Sequence, residues 1–488
     1  MLKNKQSRSA ALALTVLAAA AMTACGSLAP VAPYSRPALQ LPAPAAPAST
    51  PAGSSASAPA VDLRSWWTGF NDPVLNALLD EAQRNNQDLA LATARVTEAQ
   101  AATAQSHASL FPTVDLTANT ARRKISESTA TYASGFNPVY EDRQIGLSAS
   151  YEIDFWGKYA KADESARARL LAQSATRGNV LITLYANVAQ AYFALRGADA
   201  QVRLSSQVLD SRQETLRLQQ RRLAAGLIGP QDLLVAQGDV VSAQSTLQQA
   251  RQTLAVAESS LAVLLGRQPA DIVKPALARG NDLGALYAAQ KVPDGLSSDL
   301  LTARPDVVSA EQTLVAAHGD ISQARAAYFP SLTLTATAGQ ESKSLADLFD
   351  PASLFWSLMG NLTQPIFRAG ALDALMAAAN ARQQEAVAQY TQTVQNAFKD
   401  AHDALTNVAA GRVLADNAQA RLQLANESLR LAQVRFKTGT IGSLDLLSAQ
   451  RDQAQAESAL VDAQRVQLAS VVTLYKALGG GWTPDAAR

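Results

Sequence analysis

Two long stretches of the chain carry a hydrophobic side chain at every seventh position. These positions hold Leu181, Val188, Leu195, Val202, Leu209, Leu216 and Leu223 in the first stretch, and Val394, Ala401, Val408, Ala415, Leu422, Leu429 and Phe436 in the second. Such a long seven-residue repeat is typical of helices packed as in a coiled coil. A helix over residues 157–226 would be about 100 Å long at 1.5 Å per residue, which no ordinary globular core requires.

The second stretch also has small residues at the complementary heptad position, which predicts closely approaching helices. They are Ala397, Ala404, Gly411, Ala418, Ala425 and Ala432. After the first stretch, a further series of apolar residues keeps the seven-residue spacing and predicts a returning helix: Leu233, Val240, Leu247, Leu254 and Leu261. We predict helices within residues 74–110, 157–265, 298–328 and 370–478, with a turn at Gly226 in the second range and at Gly439 in the fourth. A free-standing coiled-coil rod would show the same heptads.

Four short segments instead alternate apolar and polar side chains, which predicts strands within residues 111–156 and 329–369. Their apolar positions are Val114, Leu116 and Ala118; Ile145, Leu147, Ala149, Tyr151 and Ile153; Leu332, Leu334, Ala336 and Ala338; and Trp356, Leu358, Gly360 and Leu362. Aromatic side chains typical of a membrane interface flank them, namely Phe111, Phe155, Trp156, Tyr328, Phe329 and Phe367. One such strand alone would suit a small soluble sheet, but four of them, in a chain whose first residues resemble an export signal, favour a transmembrane barrel.

Four strands cannot close a barrel, and open sheet edges are not tolerated in hydrocarbon. Copies of the chain must therefore complete it. Two chains would give eight strands and a lumen filled by side chains, whereas three would give twelve strands and a channel. A helical tube also needs many helices, so we expect a homotrimer.

The chain also contains an internal repeat. Residues 222–237 and 435–450 are identical at more than half of their positions, without a gap and at an offset of 213 residues. Gly157 matches Gly370 at the same offset. This period is far longer than that of a solenoid repeat, so we interpret it as a duplicated structural half, with repeats over residues 61–266 and 298–479.

The first residues resemble a bacterial lipoprotein signal. Three basic residues precede an apolar stretch, and small residues lead to Cys25, the only cysteine of the chain. We predict a signal peptide over residues 1–24 and a lipid on Cys25, although an ordinary signal peptide with an incidental cysteine is the alternative. The next residue is Gly26 and not the Asp that favours retention at the inner membrane, so we expect the outer membrane as the destination. Residues 25–60, rich in Pro and Ala, are expected to form a tether.

Composition and motifs argue against several other classes. The formal net charge of +1 provides no basic excess for nucleic acid, and no later segment has 18 consecutive apolar residues. His107, His318 and His402 lie in separate helical stretches without metal-ligand spacing, and we find no nucleophile elbow or phosphate loop. We therefore expect no enzymatic activity and no cofactor beyond the lipid on Cys25.

Several motifs, in order along the chain, resemble the TolC-like outer membrane efflux proteins, and most closely their lipoprotein branch that partners resistance-nodulation-division pumps. They are Trp66-Trp67-Thr68-Gly69-Phe70-Asn71-Asp72-Pro73-Val74-Leu75, Phe111-Pro112, Asp154-Phe155-Trp156-Gly157, Arg304-Pro305-Asp306-Val307 and Phe329-Pro330. The resemblance covers essentially everything after Cys25.

This resemblance implies a mixed α/β membrane protein. The expected form is a trimeric 12-stranded transmembrane β-barrel, with four strands per chain, continued by a long α-helical coiled-coil barrel. Equatorial segments are expected over residues 61–73, 266–297 and 479–488. The expected function is a passive exit duct of a tripartite efflux system in the outer membrane of a Gram-negative bacterium, docked through a periplasmic adaptor to an inner-membrane pump.

The resemblance also implies site residues at two Gly-containing helix turns. The adaptor-contact turns would include Gly226, Leu227, Gly229, Gly439, Thr440 and Gly442. A pore gate would use Asp445, Leu444, Ser448 and Arg451, with Asp232 as a partner from the first repeat. Many relatives have a second Asp at the position of Ser448. A lone Asp near a helix start is also a common favourable contact with the helix dipole.

The sequence leaves the cargo open, because the pump selects it. Within the channel interpretation, type I protein secretion is an alternative to drug or metal efflux. A periplasm-spanning structural lipoprotein would need the heptads and Cys25 but not the strands. A secreted hydrolase would need a catalytic group that the motifs do not provide.

Overall fold

The computed structural model describes residues 31–38, 63–128, 137–290 and 301–483. The predicted signal peptide and Cys25 lie outside these residues. The α-helices and strands described from end to end are, in chain order, α1 (Pro73–Asn85), α2 (Gln87–Ala108), β1 (Thr113–Lys124), β2 (Val139–Ile153), α3 (Lys158–Ala224), α4 (Pro230–Leu264), α5 (Pro269–Val273), α6 (Leu283–Ala289), α7 (Pro305–Ala326), β3 (Ser331–Ser342), β4 (Leu354–Thr363), α8 (Ala371–Lys437) and α9 (Ser443–Ala477). A 3-10 helix over Leu63–Phe70 precedes α1. Helices α3 and α8 each have 67 residues, and α4 and α9 each have 35.

The chain divides into two compact units. The first contains the described residues within 1–37, 97–171 and 311–389, and the second those within 38–96, 172–310 and 390–488. The first unit holds the strands with the adjoining parts of the long helices. The second holds the remaining helical parts and the short segments between them.

The four strands of the first unit form one antiparallel sheet in the order β1-β2-β3-β4. The pairing joins Val114 to Ala149, Ala149 to Ala336 and Ala336 to Leu358. Directly paired residues lie on the same face of a sheet. The register therefore puts all the predicted apolar positions on one face, as the alternation predicted.

The aromatic residues at the helix-connected end of the sheet contact one another. Trp156 stacks on Phe329 with ring centroids 4.6 Å apart, and its Nε1 donates to the carbonyl oxygen of Pro330 at 2.7 Å. On the polar face, Glu152 accepts hydrogen bonds from the Lys158 Nζ at 3.1 Å and the Tyr159 hydroxyl at 2.9 Å. These contacts hold the start of α3 against the sheet.

The heptad positions lie in the helix packing, as predicted. In α8, Val394, Ala397, Ala401, Ala404, Val408 and Ala415 are all buried. A Cβ atom at Gly411 would lie 2.3 Å from Oε1 of the buried Gln467 in α9. The small residues of this repeat thus let α9 lie directly against the α8 backbone.

The second unit has an aromatic core. The side chains of Phe70, Tyr192, Phe193 and Tyr475 are almost completely buried. Trp66 stacks on Tyr475 with ring centroids 5.2 Å apart, and Phe70 meets Phe193 edge to face at 5.0 Å. The segment before α1 is thereby anchored between α3 and α9.

Asp72 joins three parts of this unit through its fully buried carboxylate. As the N-cap of α1, its Oδ1 accepts from the Val74 N–H at 2.8 Å and the Leu75 N–H at 3.2 Å. Its Oδ2 accepts from the Tyr192 hydroxyl at 2.7 Å and the Asn281 N–H at 3.0 Å. Burial and the hydrogen bond to Asp72 raise the pKa of Tyr192 well above its usual range, so Tyr192 remains a donor.

Arg304 makes a second long-range connection from the start of α7. Its buried guanidinium donates to both carboxylate oxygens of Asp306, at 3.1 and 2.7 Å. It also donates to the carbonyl oxygen of Ala477, at 3.0 Å, in the last turn of α9. A cation at a helix C-terminus compensates the negative end of the helix dipole.

Two predicted helices differ from the observed ones. The helix predicted over residues 74–110 is two helices that meet at Asn86, because Asn86 has an extended backbone and its side chain caps α2. The Asn86 Nδ2 also donates to the Leu264 carbonyl oxygen at 3.0 Å, which fixes the break. The helix predicted over residues 298–328 is interrupted at Ala303 and Arg304: Leu301 and Thr302 are helical before the break, and α7 follows it from Pro305 to Ala326.

Candidate functional site

Two turns at the ends of the long helices α3 and α8 form the candidate site. Gly226 and Gly439 have φ angles of 71° and 79°, a conformation that favours glycine. The Leu227 N–H donates to the Arg222 carbonyl at 2.9 Å, and the Thr440 N–H donates to the Arg435 carbonyl at 2.9 Å. Both helices thus end in the same Schellman-type turn.

The helices that return from the turns begin in equivalent ways. Gly229 and Gly442 are the extended N-cap residues of α4 and α9. The Asp232 Oδ2 accepts from the Gly229 N–H at 3.3 Å, and the Asp445 Oδ2 accepts from the Gly442 N–H at 3.2 Å. Each carboxylate thereby satisfies a free backbone donor at the positive end of its helix. Both predicted gate aspartates therefore cap their own helices.

The predicted tip and gate side chains are largely exposed in the single chain. Leu227 and Leu444 expose 72% and 67% of their surface. Leu444, Asp445 and Ser448 share the exposed face of α9, while Leu447 on another face is buried. This leaves a leucine, a carboxylate and a hydroxyl accessible at the start of one helix.

The two turns are close to each other. The Arg222 guanidinium lies 5.0 Å from the centroid of the Phe436 ring, which joins α3 to α8 directly before their turns. Farther along the return helices, Arg451 of α9 forms an ion pair with Asp239 of α4. Arg451, which the resemblance places in the gate, is thus engaged with the neighbouring return helix in the described structure.

A polar layer next to this ion pair was not predicted. Ser205, Arg212 and Gln219 are buried at seven-residue spacing on α3, and Arg212 donates to the Gln450 side chain at 2.7 Å. Burial lowers the pKa of Arg212, the nearby Asp239 opposes this shift, and Arg451 adds to it. A cavity of about 400 Å³ borders the layer. Three polar residues at heptad spacing within an otherwise apolar helix face are a signal that could have identified it.

Other sequence predictions concern metals, membrane helices and the anchor. No group of three or more His, Cys, Asp or Glu among the described residues could hold a metal ion. In the same part of the chain, none of the helices is both long and apolar enough to cross a membrane. Cys25 lies outside the described residues. Within the tether predicted over residues 25–60, residues 31–38 instead pack on the first unit: Arg36 forms an ion pair with Glu311, and the Tyr34 ring lies 6.1 Å from the His318 ring. The prediction of an extended tether is therefore wrong for this segment.

Nearly the whole chain is similar to known proteins. The profile of the family "Outer membrane efflux protein" matches residues 78–267 and 296–480. The pyoverdine export outer membrane protein OpmQ of Pseudomonas aeruginosa is 34% identical over 444 residues, covering 87% of this chain and 89% of OpmQ. The cation efflux system protein CusC of Escherichia coli O157:H7 is 32% identical over 467 residues, covering 95% and 97%.

A solved structure has the same fold. The crystal structure of the CmeC outer membrane channel of Campylobacter jejuni matches with a TM-score of 0.83 and 27% identity. The match covers 92% of this chain and 95% of the CmeC chain.

Proposed function

This chain belongs to the outer membrane efflux protein family, and from this we infer that it is the outer membrane channel subunit of a tripartite efflux system. It would act as a passive duct for small toxic compounds delivered by an inner-membrane pump of the resistance-nodulation-division type through a periplasmic adaptor. The observation that carries the proposal is the sheet, because its unbroken register gives one apolar and one largely polar face. A membrane-spanning channel wall requires that arrangement.

The proposed active form is a homotrimer. Within one chain, β1 and β4 are the edges of the sheet, and an open edge is not stable in hydrocarbon. Three copies would supply a closed barrel of twelve strands with a water-filled lumen. The equal lengths of α3 and α8, and of α4 and α9, support a duplicated half that would supply similar helices to a tunnel of twelve helices.

The proposed periplasmic end comprises the two turns. Leu227 and Thr440, next to the positive-φ glycines, would contact the adaptor, with the backbone shape set by Gly226, Gly229, Gly439 and Gly442. The gate would lie on the exposed face of α9, where Leu444, Asp445 and Ser448 are accessible. The ion pair between Arg451 and Asp239 would hold the return helices together in this chain, and Asp232 would mainly cap α4.

Conductance measurements test both the channel and the gate. Full-length protein in a planar lipid bilayer should conduct ions with a preference for cations, because a ring of Asp445 carboxylates attracts them. The substitution Asp445→Asn removes the charge and should lower the cation-to-anion permeability ratio about twofold or more. Ser448→Asp adds a carboxylate on the same face and should raise the ratio.

The control is Asp232→Asn, which changes the equivalent capping residue of α4. If loss of an N-terminal carboxylate merely loosens the start of a helix, Asp232→Asn and Asp445→Asn will change the cation-to-anion permeability ratio to the same extent. Equal permeability ratios for the wild type and for Asp445→Asn would remove Asp445 from the gate and leave Leu444 as the constriction. Absence of any conductance from correctly assembled wild-type protein would contradict the channel function itself.

We also propose that Cys25 carries a lipid and becomes the first residue of the mature chain. Mass spectrometry of the mature N-terminal peptide should find a diacylated or triacylated cysteine, and Cys25→Ser should abolish this modification. Because the barrel itself would insert in the membrane, part of the Cys25→Ser protein should still assemble there. A mature chain with unmodified Cys25 would disprove the anchor without affecting the channel.

A further inference from the structure

Three basic side chains lie on the apolar face of the sheet, beyond Ala118 of β1 and Ile145 of β2. The pairing of β1 with β2 runs without interruption from Thr113 with Ser150 to Lys124 with Val139. The alternation of faces is therefore preserved to the strand ends. It places Arg122, Lys124 and Arg143 on the same face as the apolar positions of both strands.

These residues mark the end of the sheet that is remote from the helices. Strand β1 follows α2 and strand β2 leads into α3, so the helices join the sheet at its other end. The inference rests on the proposed function, in which the helices occupy the periplasm. The charged end of the sheet then reaches the outer leaflet of the outer membrane.

Strand geometry puts the charges at headgroup level. Residues 145–153 of β2 carry the apolar face over about 27 Å along the strand, or about 20 Å along the membrane normal at a tilt of about 40°. This is close to the apolar band of about 25 Å of known barrels. Arg143 lies on the same face, two residues before Ile145 and about 7 Å nearer to the end of the sheet that is remote from the helices.

The charges on this face do not cancel. Glu141 is shared by two guanidinium groups, with Arg143 at 2.6 Å and Arg122 at 3.7 Å. Lys124 pairs with Glu127 at 3.9 Å, and both side chains are more than half exposed. Such long, solvated ion pairs contribute little. The three basic side chains are therefore only partly neutralised, by Glu141 and by the weakly paired Glu127.

The remaining geometry suits phosphate. The Arg143 Nη1 donates to the Lys343 carbonyl oxygen at 2.7 Å, which holds its guanidinium in place. Arg122 exposes 75% of its side chain next to it, and guanidinium groups bind phosphate oxygens in a bidentate manner. We propose that Arg122, Lys124 and Arg143, the basic rim, bind the phosphorylated lipid headgroups of the outer leaflet.

Lipid binding to the detergent-solubilised full-length protein tests the basic rim. The probe is lipid A, titrated while bound lipid is counted by native mass spectrometry. Arg122→Gln should weaken lipid A binding about fivefold, the usual effect of one basic residue at an anionic surface. Arg122→Gln combined with Lys124→Gln should weaken it about twentyfold or more. Lipid A without its phosphates should bind weakly to all forms.

Arg123→Gln is the matched control, because Arg123 is the next residue of β1 and lies on the opposite face of the sheet. Its lipid A affinity should stay within about twofold of wild type. Equal affinities for the Arg122 and Arg123 variants would overturn the proposal, as would Arg122-dependent binding of the dephosphorylated lipid. Dissociation of the Arg122 variant into single chains would assign the rim to a subunit contact instead. Wild-type conductance alongside any of these results would leave the proposed channel function standing.

Discussion

Asp72→Ala should destabilise the second unit by about 4 kcal/mol, through loss of a helix cap and unpaired buried donors. The carboxylate is completely buried and accepts four hydrogen bonds, from two N–H groups of α1, the Tyr192 hydroxyl and the Asn281 N–H. Alanine accepts none of them. The thermal midpoint of the detergent-solubilised protein should fall by roughly 10 °C.

Tyr192→Phe provides a graded control for this effect. It removes one of the four donors to Asp72 and the hydroxyl that accepts from the Gly280 N–H at 3.1 Å. The expected loss is about 1–2 kcal/mol, well below that of Asp72→Ala. A thermal midpoint of Asp72→Ala equal to that of wild type would contradict this account of the buried carboxylate.

The features predicted best from the sequence are those that repeat locally. Strand faces follow from alternation, because each residue of a sheet faces the side opposite to that of its neighbour. Val114 and Leu116 therefore identified the apolar face without knowledge of the pairing partner. The heptads of α3 and α8 likewise predicted which face of each helix is packed, because the spacing alone defines that face. Gly226 and Gly439 identified the turns because few other residues adopt a positive φ angle.

The features that escaped prediction depend on contacts between distant residues. The break at Asn86 is fixed by the Leu264 carbonyl, 178 positions away in the chain. Arg304 reaches Ala477 over a separation of 173 positions. Sequence spacing contains no direct signal of such contacts. The role of Asp445 is intermediate, because its capping geometry is local, whereas a gate depends on contacts between copies of the chain.

A lysine on the apolar face of the sheet should strongly impair membrane assembly if this face contacts lipid, as proposed. Leu358 lies in the middle of β4 and is 72% exposed in the single chain, opposite Ala336. A lysine near the membrane midplane costs about 2–4 kcal/mol per chain, and a trimer would contain three. Leu358→Lys should therefore strongly reduce the fraction of protein that forms an oligomer in the outer membrane, measured by membrane fractionation and native mass spectrometry.

Ser357→Lys supplies the matched control, because it adds the same charge one residue away. Ser357 lies on the polar face, where its hydroxyl is 2.6 Å from that of Thr337. In a barrel this face borders the water-filled lumen, so Ser357→Lys should assemble as a trimer and change only ion selectivity. If both variants assembled equally well, the apolar face would not contact lipid. If both failed, β4 would be packed on both faces, as in a small soluble sheet, and the membrane barrel would be wrong.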